Sequence, residues 1–218
     1  MEQSTVVVAS TRQVLAVVPP APLGATAESR LARLRSQADR DDFTAARLLA
    51  AHLLRAAPAD LRQRCEVCGG DHGLPLPVAG LHVSWSHAAG WVAAGTSSSR
   101  LGVDVEAEGG VNLADALASV ERTLVATAAD PARAFRLAWT AKEACVKAGV
   151  AHLDGFAALE VLTAPDALRP SHAGLLLSSR SLPGAIAAAA TVEPARWATL
   201  GARGELVPVP DRAVGSPA

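Results

Sequence analysis

The stretch GVDVE at 102–106 places two carboxylates, Asp104 and Glu106, at alternate positions with Val105 between them. Alternate residues of a strand share a face roughly 6.5–7 Å apart, near enough for both side chains to converge on one ion. A half-exposed strand would carry the same pattern with no ligand at all. A second segment bears on the choice. DPARAFRLAWTAKEACVKAG, 130–149, has Asp130 as an N-cap, Pro131 suited to the first helical position and Gly149 past the last one. At helical spacing Phe135, Ala138, Trp139 and Val146 form an apolar stripe, and Lys142 falls in its middle. A lysine there must snorkel or meet an anion, because an unpaired buried ammonium is very costly.

Beside that stripe run Arg136, Thr140, Glu143 and Lys147. Glu143 and Lys147 alone suit an i,i+4 ion pair on a solvated face, worth about 0.2–0.5 kcal/mol. Taken with Asp104 and Glu106, Glu143 makes a set of three carboxylates. Three carboxylates with no second His or Cys favour a hard cation such as Mg²⁺, which keeps waters and completes its shell with substrate phosphate. Lysines next to an acidic cluster fit a pyrophosphate, which needs both.

The elements that must position these residues follow from the patterning. RQVLAVVP, 12–19, reads as a buried strand ended by Pro19 and Pro20. Two helical stretches lie within 30–57, and 65–80 is loop-like. LHVSWSH alternates, with Leu81, Val83 and Trp85 on one side and His82, Ser84 and Ser86 on the other. WVAAGTSS is its partner strand, followed by LGVDVE. After the helix at 131–148, the stretches 156–163, 173–181 and 185–194 read as strands. A helix followed by a small meander, twice, predicts a mixed α+β fold. It has two pseudo-symmetric lobes, each a helix on a small mostly antiparallel sheet, with the active site in the cleft between them. The lobes are expected at 1–102 and 103–205, with a mobile tail at 206–218.

The chain of 218 residues is half apolar and 19% charged, enough for a sizeable core. A net charge of −1 offers no global attraction to nucleic acid or to an anionic membrane. No stretch approaches the ~20 apolar residues of a spanning helix, the N-terminus lacks a positively charged leader region, and three cysteines make no disulfide framework. A cytoplasmic protein is the expectation.

These motifs resemble those of a known family. GVDVE at 102–106 with WTAKEACVK at 139–147 resembles the paired signature of the 4′-phosphopantetheinyl transferases. VSWSHAAG is similar to that family's Ser-x-Ser-His segment, and CGGDHGLPLP to its loop ending in His-Gly-Lys/Arg-Pro. The resemblance spans about residues 28–162 and is nearest to the larger, monomeric, two-lobed type known from surfactin synthesis.

It implies Mg²⁺-dependent transfer of the phosphopantetheine arm of coenzyme A to a carrier-protein serine, with release of 3′,5′-ADP. By motif match Asp104, Glu106 and Glu143 are the implied metal ligands, with Glu143 also the base, directly or through metal-bound water. Lys147 and Lys142 are implied at the phosphates, His87 and Ser86 at the pyrophosphate, and Arg47 and Arg40 at the nucleotide. His72 and Pro75 are implied in the coenzyme-binding loop. The implied partners are coenzyme A and an acyl or peptidyl carrier protein, with no nucleic acid, no membrane and no need of a dimer. The alternative is a weak or inactive relative that binds coenzyme A or a carrier without catalysis.

Two departures stand out. Leu74 occupies the place of the family's usual lysine or arginine in that loop, so one phosphate contact is missing or comes from elsewhere. The glycine after Lys147 also comes one residue early, which shortens the helix end. Separately, Cys65, Cys68 and His72 read as a zinc knuckle only in part, since no second ligand pair follows at suitable spacing. Two free thiols in a loop are the ordinary reading, and Cys145 is most simply a small buried residue.

Overall fold

The computed structural model describes residues 3–109 and 114–210. The chain opens with β1 (Ser4–Ser10), α1 (Thr11–Val17), α2 (Ala25–Leu31) and α3 (Gln37–Leu54). A short hairpin of β2 (Gln63–Arg64) and β3 (Leu74–Pro75) precedes β4 (His82–Ala88), β5 (Trp91–Ser97) and β6 (Leu101–Ala107). Helices α4 (Ser119–Ala126) and α5 (Pro131–Lys147) lead to β7 (Leu162–Ala164), β8 (Ala167–Leu168) and β9 (Ser171–His172). The long hairpin β10 (Leu175–Leu182) and β11 (Ala185–Thr191) follows, and then β12 (Ala195–Leu200) and β13 (Leu206–Pro208).

Two sheets dominate, one in the order β13-β12-β1-β5-β4 and one in the order β6-β11-β10-β9. All their ladders are antiparallel except β1 with β12. Strand alternation assigns the layers. Val6 and Val8 of β1 meet Val103 and Val105 of β6 and Ala187 and Ala189 of β11, so the two sheets face each other. Val7 and Ala9 turn to the opposite face and pack with Phe43, Ala46 and Leu49 of α3. Ile186, Ala188 and Ala190 turn to α5, against Ala138, Ala141 and Cys145. The predicted mixed α+β fold, a helix on each of two small mostly antiparallel sheets, is what the chain adopts.

Three local expectations differ. The predicted strand at 12–19 is helix α1. Its buried residues are Thr11 and Val14, followed by Val18 at the C-cap, a helical spacing, and the Ser10 hydroxyl caps it by accepting from the Gln13 N–H at 3.2 Å. The buried strand is the preceding STVVVAS. The predicted strand at 156–163 is instead a 3₁₀ turn over Leu153–Ala158, then β7. Finally, β12 and β13 return to the first sheet, so the sheets do not follow a division at residue 103. The first residues of the expected tail pair with β12, Leu206 opposite Leu200; residues 211–218 lie outside the described residues.

The geometry that matters most for the site is the seat of α5 on β6. Val103 and Val105 take the inter-sheet face, which leaves Gly102, Asp104 and Glu106 facing the helix. At Gly102 there is no room for a side chain. A Cβ would collide with the Ala144 carbonyl oxygen and lie 2.5 Å from the Ala148 nitrogen and 2.9 Å from the Lys147 carbonyl carbon. All three are backbone atoms, so Gly102→Ala forces the helix off the strand. The expected cost is about 1–3 kcal/mol, the range for overpacking a filled core. Urea unfolding at unchanged m-value measures it, and a variant as stable as the parent would show that strand and helix have slack.

Candidate functional site

Asp104 is 3% exposed and sits where β6, β4 and α5 meet. One carboxylate oxygen, Oδ1, accepts from Ser86 Oγ at 2.6 Å and from Lys147 Nζ at 2.5 Å. Lys147 also donates to Ser86 Oγ at 2.9 Å, which closes a triangle of lysine, serine and aspartate. Lys147 thus pairs with Asp104 rather than with Glu143, the partner that helical spacing alone suggests. The other oxygen, Asp104 Oδ2, is buried and has no hydrogen-bond partner. A buried carboxylate oxygen without a protein donor is costly, and a cation or an added donor would suit that position.

Glu106 and Glu143 flank this aspartate. Trp139 Nε1 donates to Glu106 Oε1 at 3.0 Å and anchors it. Burial pushes the Glu106 carboxyl above its ordinary range, and the Asp104 charge pushes it further. The Glu143 carboxyl is raised too, first by burial and then by Asp104, with Lys147 opposing. Like charges gathered in a dry place disfavour ionisation. A cation would reverse that.

The donor set is oxygen only, it carries an orphaned oxygen and its carboxyls repel. It therefore fits a hard divalent cation. The three carboxylates do not close into a cage within 4.8 Å of one another; among the described residues the group that does is Cys65, Cys68 and His72.

From Lys147 a cleft extends in two directions. On one side a pocket of about 180 Å³ is lined by Arg30, Phe43, Arg47, Trp85, His87 and Lys147. Arg47 is 5% exposed, stacks 3.4 Å above the Phe43 ring, and donates to the Phe43 carbonyl. Burial and the neighbouring Arg30 bring its pKa down to about 9. It stays charged at neutral pH with few protein partners, which suits an arriving anion. His87 lies edge-on to Phe43. Desolvation lowers its pKa, Asp42 and Asp39 oppose the shift, and Arg47 and Lys147 assist it. Arg30 and Arg47 continue into a further pocket of about 200 Å³ with Arg62 and Gln63. On the other side Lys147 borders a pocket of about 560 Å³ walled by Arg64, Leu74, Pro75 and Arg100.

The structure brings together Asp104, Glu106, Glu143, Lys147, Ser86, His87 and Arg47. Pro75 lies on the far wall. Residues 100–177 match the family model of the 4′-phosphopantetheinyl transferase superfamily. The match covers less than half of the chain: it takes in β6, α5, the three carboxylates and Lys147, and leaves out Ser86, His87 and Arg47. No curated protein matches the chain.

Three predicted residues lie elsewhere. Lys142 is fully buried, paired with buried Glu121 at 2.7 Å, and donates to the carbonyls of Phe156 at 2.7 Å and Ala116 at 3.1 Å. Its three hydrogens are spent, and it has no reach to a phosphate. The anion that its place in an apolar stripe demands is Glu121, which also accepts from the Ala118, Val161 and Leu162 amides. Arg40 is bound up at the start of α3, donating to the Leu34 carbonyl at 2.6 Å and to Gln37. His72 is exposed and meets Cys68 at 3.1 Å instead of the cleft.

Sequence reasoning missed Arg30, Arg62, Arg64 and Arg100, because isolated surface arginines carry no pattern until the fold gathers them. It also read Trp139 as core only.

The two lysines of α5 are therefore expected to fail differently. Lys142→Ala strands a buried Glu121 charge and should cost about 3–5 kcal/mol of stability. Lys147→Ala, which removes a side chain about a quarter exposed, should cost less stability than that while weakening phosphate binding. Equal stability losses in thermal unfolding would contradict this division.

Proposed function

We propose that this chain transfers the phosphopantetheine arm of coenzyme A to a serine hydroxyl of an acyl or peptidyl carrier protein, releasing 3′,5′-ADP. The observation that supports it best is the junction at Lys147. There a lysine held between Ser86 and one oxygen of Asp104 leaves the other oxygen without a donor, beside a pocket whose other basic side chains are Arg30, Arg47 and His87. The match of β6 and α5 to a phosphopantetheinyl transferase family points the same way.

In this reading the pyrophosphate lies across Lys147 and His87, and the nucleotide end enters the pocket of Arg30, Arg47 and Arg62. Asp104, Glu106 and Glu143 would hold Mg²⁺, which supplies charge neutralisation of the pyrophosphate. The carrier serine Oγ forms its bond to the β-phosphorus as the bridging P–O bond breaks, and the electron pair leaves on 3′,5′-ADP. The proton passes from the serine to Glu143. Burial and Asp104 raise that carboxyl in the protein alone, and a cation beside it favours the ionised form that can take a proton. His87 is neutral near pH 7 when the pocket is empty, and an adjacent phosphate favours its protonated, doubly donating form. Such an enzyme works by positioning and charge stabilisation more than by covalent chemistry. The two sheets and both long helices supply the cleft from one chain, so a monomer suffices. No helix of the described residues is long and apolar enough to cross a membrane.

Leu74 favours a second reading, a relative that binds coenzyme A without efficient transfer. Its ladder partner weakens that reading: Arg64 pairs directly with Leu74 across the β2–β3 hairpin, and both line the same pocket. Arg64 stands one strand away from the position where the family places its cation, and we assign it that role. Arg64→Ala should raise the KM for coenzyme A several-fold, and Leu74→Arg should lower it or offset the loss. A KM indifferent to both changes would remove this wall from the binding site.

The decisive measurement is intact-mass spectrometry of an apo carrier protein incubated with coenzyme A, Mg²⁺ and this chain. A gain of the phosphopantetheine mass is expected. Glu143→Gln should slow it about 10²–10⁴-fold, the usual contribution of a general base. Transfer unchanged by Glu143→Gln would assign the base elsewhere. No transfer to several carrier types, with tight binding of coenzyme A, would favour the binding-protein reading.

A further inference from the structure

Cys65, Cys68 and His72 offer two sulfurs and one ring nitrogen that all lie within 4.8 Å of one another, with Cys68 Sγ and His72 Nε2 at 3.1 Å. On a tetrahedral zinc ion, bonds of about 2.3 Å to sulfur and 2.0–2.1 Å to nitrogen place ligand atoms roughly 3.6–3.8 Å apart. The three donors are already near that spacing.

The backbone is shaped to hold them there. The Cys65 carbonyl accepts from the Gly69 amide at 2.8 Å, and the Cys65 amide donates to the Gly70 carbonyl at 2.9 Å. Gly69 takes a φ of +71°, which a side chain would resist. At Gly70 a Cβ would sit 3.3 Å from the His72 ring and 3.4 Å from the Cys68 sulfur, so a side chain there would crowd two of the donors. At Gly73 it would press on the Arg64 carbonyl and the Cys65 Cα at 2.7 and 2.9 Å, where the chain folds back over Cys65.

The same segment has no apolar reason to be ordered. None of residues 65–73 is buried, and Val67 is 96% exposed. Ordering nine residues costs backbone entropy that this loop does not recover by hydrophobic burial. Metal ligation is the usual source of that free energy in small loops without a core.

The geometry points to a zinc site built from Cys65, Cys68 and His72, with its fourth position open to solvent. The donors decide the metal, since two thiolates and an imidazole select zinc over the hard cation suited to Asp104. The site has a structural consequence. Cys65 and Gly69 border the 560 Å³ pocket together with Leu74, Pro75 and Lys147, so the ion would pin one wall of the cleft.

The sequence alone argued for free thiols because a second ligand pair is missing. The fold reverses that by bringing the histidine onto the two sulfurs.

The test uses the full chain, reduced and freed of metal, titrated with Co²⁺ as a spectroscopic stand-in. An intense thiolate-to-cobalt charge-transfer band with tetrahedral d–d absorption is expected, displaced by Zn²⁺. Cys145→Ala should keep the spectrum, since that thiol is buried in α5. Cys65→Ser/Cys68→Ser should lose it, and His72→Ala should alter its d–d bands. Circular dichroism of each variant separates lost ligation from lost folding. If a variant does not fold, competition of the parent chain for Zn²⁺ against a chromophoric chelator stands in its place. A parent chain that gives only a weak octahedral spectrum, or fails to compete with the chelator for Zn²⁺, would overturn the site. Neither readout involves coenzyme A or a carrier, so the zinc site and the transferase reading stand or fall separately.

Discussion

The contact between Gly102 and the last turn of α5 is the constraint from which the rest of the site follows. A strand and a helix normally keep their distance because side chains fill the space between them. Here the Cβ is absent, and the backbone of Ala144, Lys147 and Ala148 comes down onto the strand. Two residues further along β6, Asp104 is then brought within hydrogen-bond distance of Lys147, and four along, Glu106 meets Trp139. The acidic alternation therefore has a structural cause. Asp104 and Glu106 share a face because that face is the one Gly102 opens to the helix, while Val103 and Val105 fill the space between the sheets.

The second seam of the site is polar. The strands β4 and β6 belong to different sheets, and serine hydroxyls join them. Ser84 Oγ accepts from the Val103 amide at 3.0 Å, and Ser86 Oγ donates to Asp104. Serines in the middle of a strand would ordinarily face water. Both are buried here, because they complete hydrogen bonds that no ladder provides. The Ser-x-Ser pattern thus records a junction between two sheets, and His87 follows at the point where that junction opens into the cleft.

Much of this was legible from the sequence where local chemistry is redundant. Asp130, Pro131 and Gly149 bracket α5, and β4, β5 and β6 form where the patterning puts strands. The reading failed where one pattern serves two structures. Val14 and Val18 suit a buried strand as readily as one face of α1, and only the Ser10 cap decides. Lys142 needs an anion, as its place in an apolar stripe requires, and in the fold that anion is Glu121. Its partner Glu121 lies on another helix, and sequence spacing carries no information about that distance. The return of β12 to pair in parallel with β1 is equally invisible, since a parallel ladder leaves no turn to mark it.

Lys142 and Lys147 stand five residues apart on one helix, a rotation large enough to send one ammonium into the core and the other toward the cleft. The environments then set what each can do. Lys142 faces Glu121 and two carbonyls with no water in reach, and burial lowers its pKa despite the paired charge. Its charge serves to hold α4, α5 and the loop before β7 together. Lys147 keeps about a quarter of its side chain exposed. It neutralises one oxygen of Asp104 and leaves the other without a donor. On that incomplete neutralisation the proposed function rests. A fully satisfied cluster would hold its own charge as Glu121 does, and it would have nothing left to offer a cation or a phosphate.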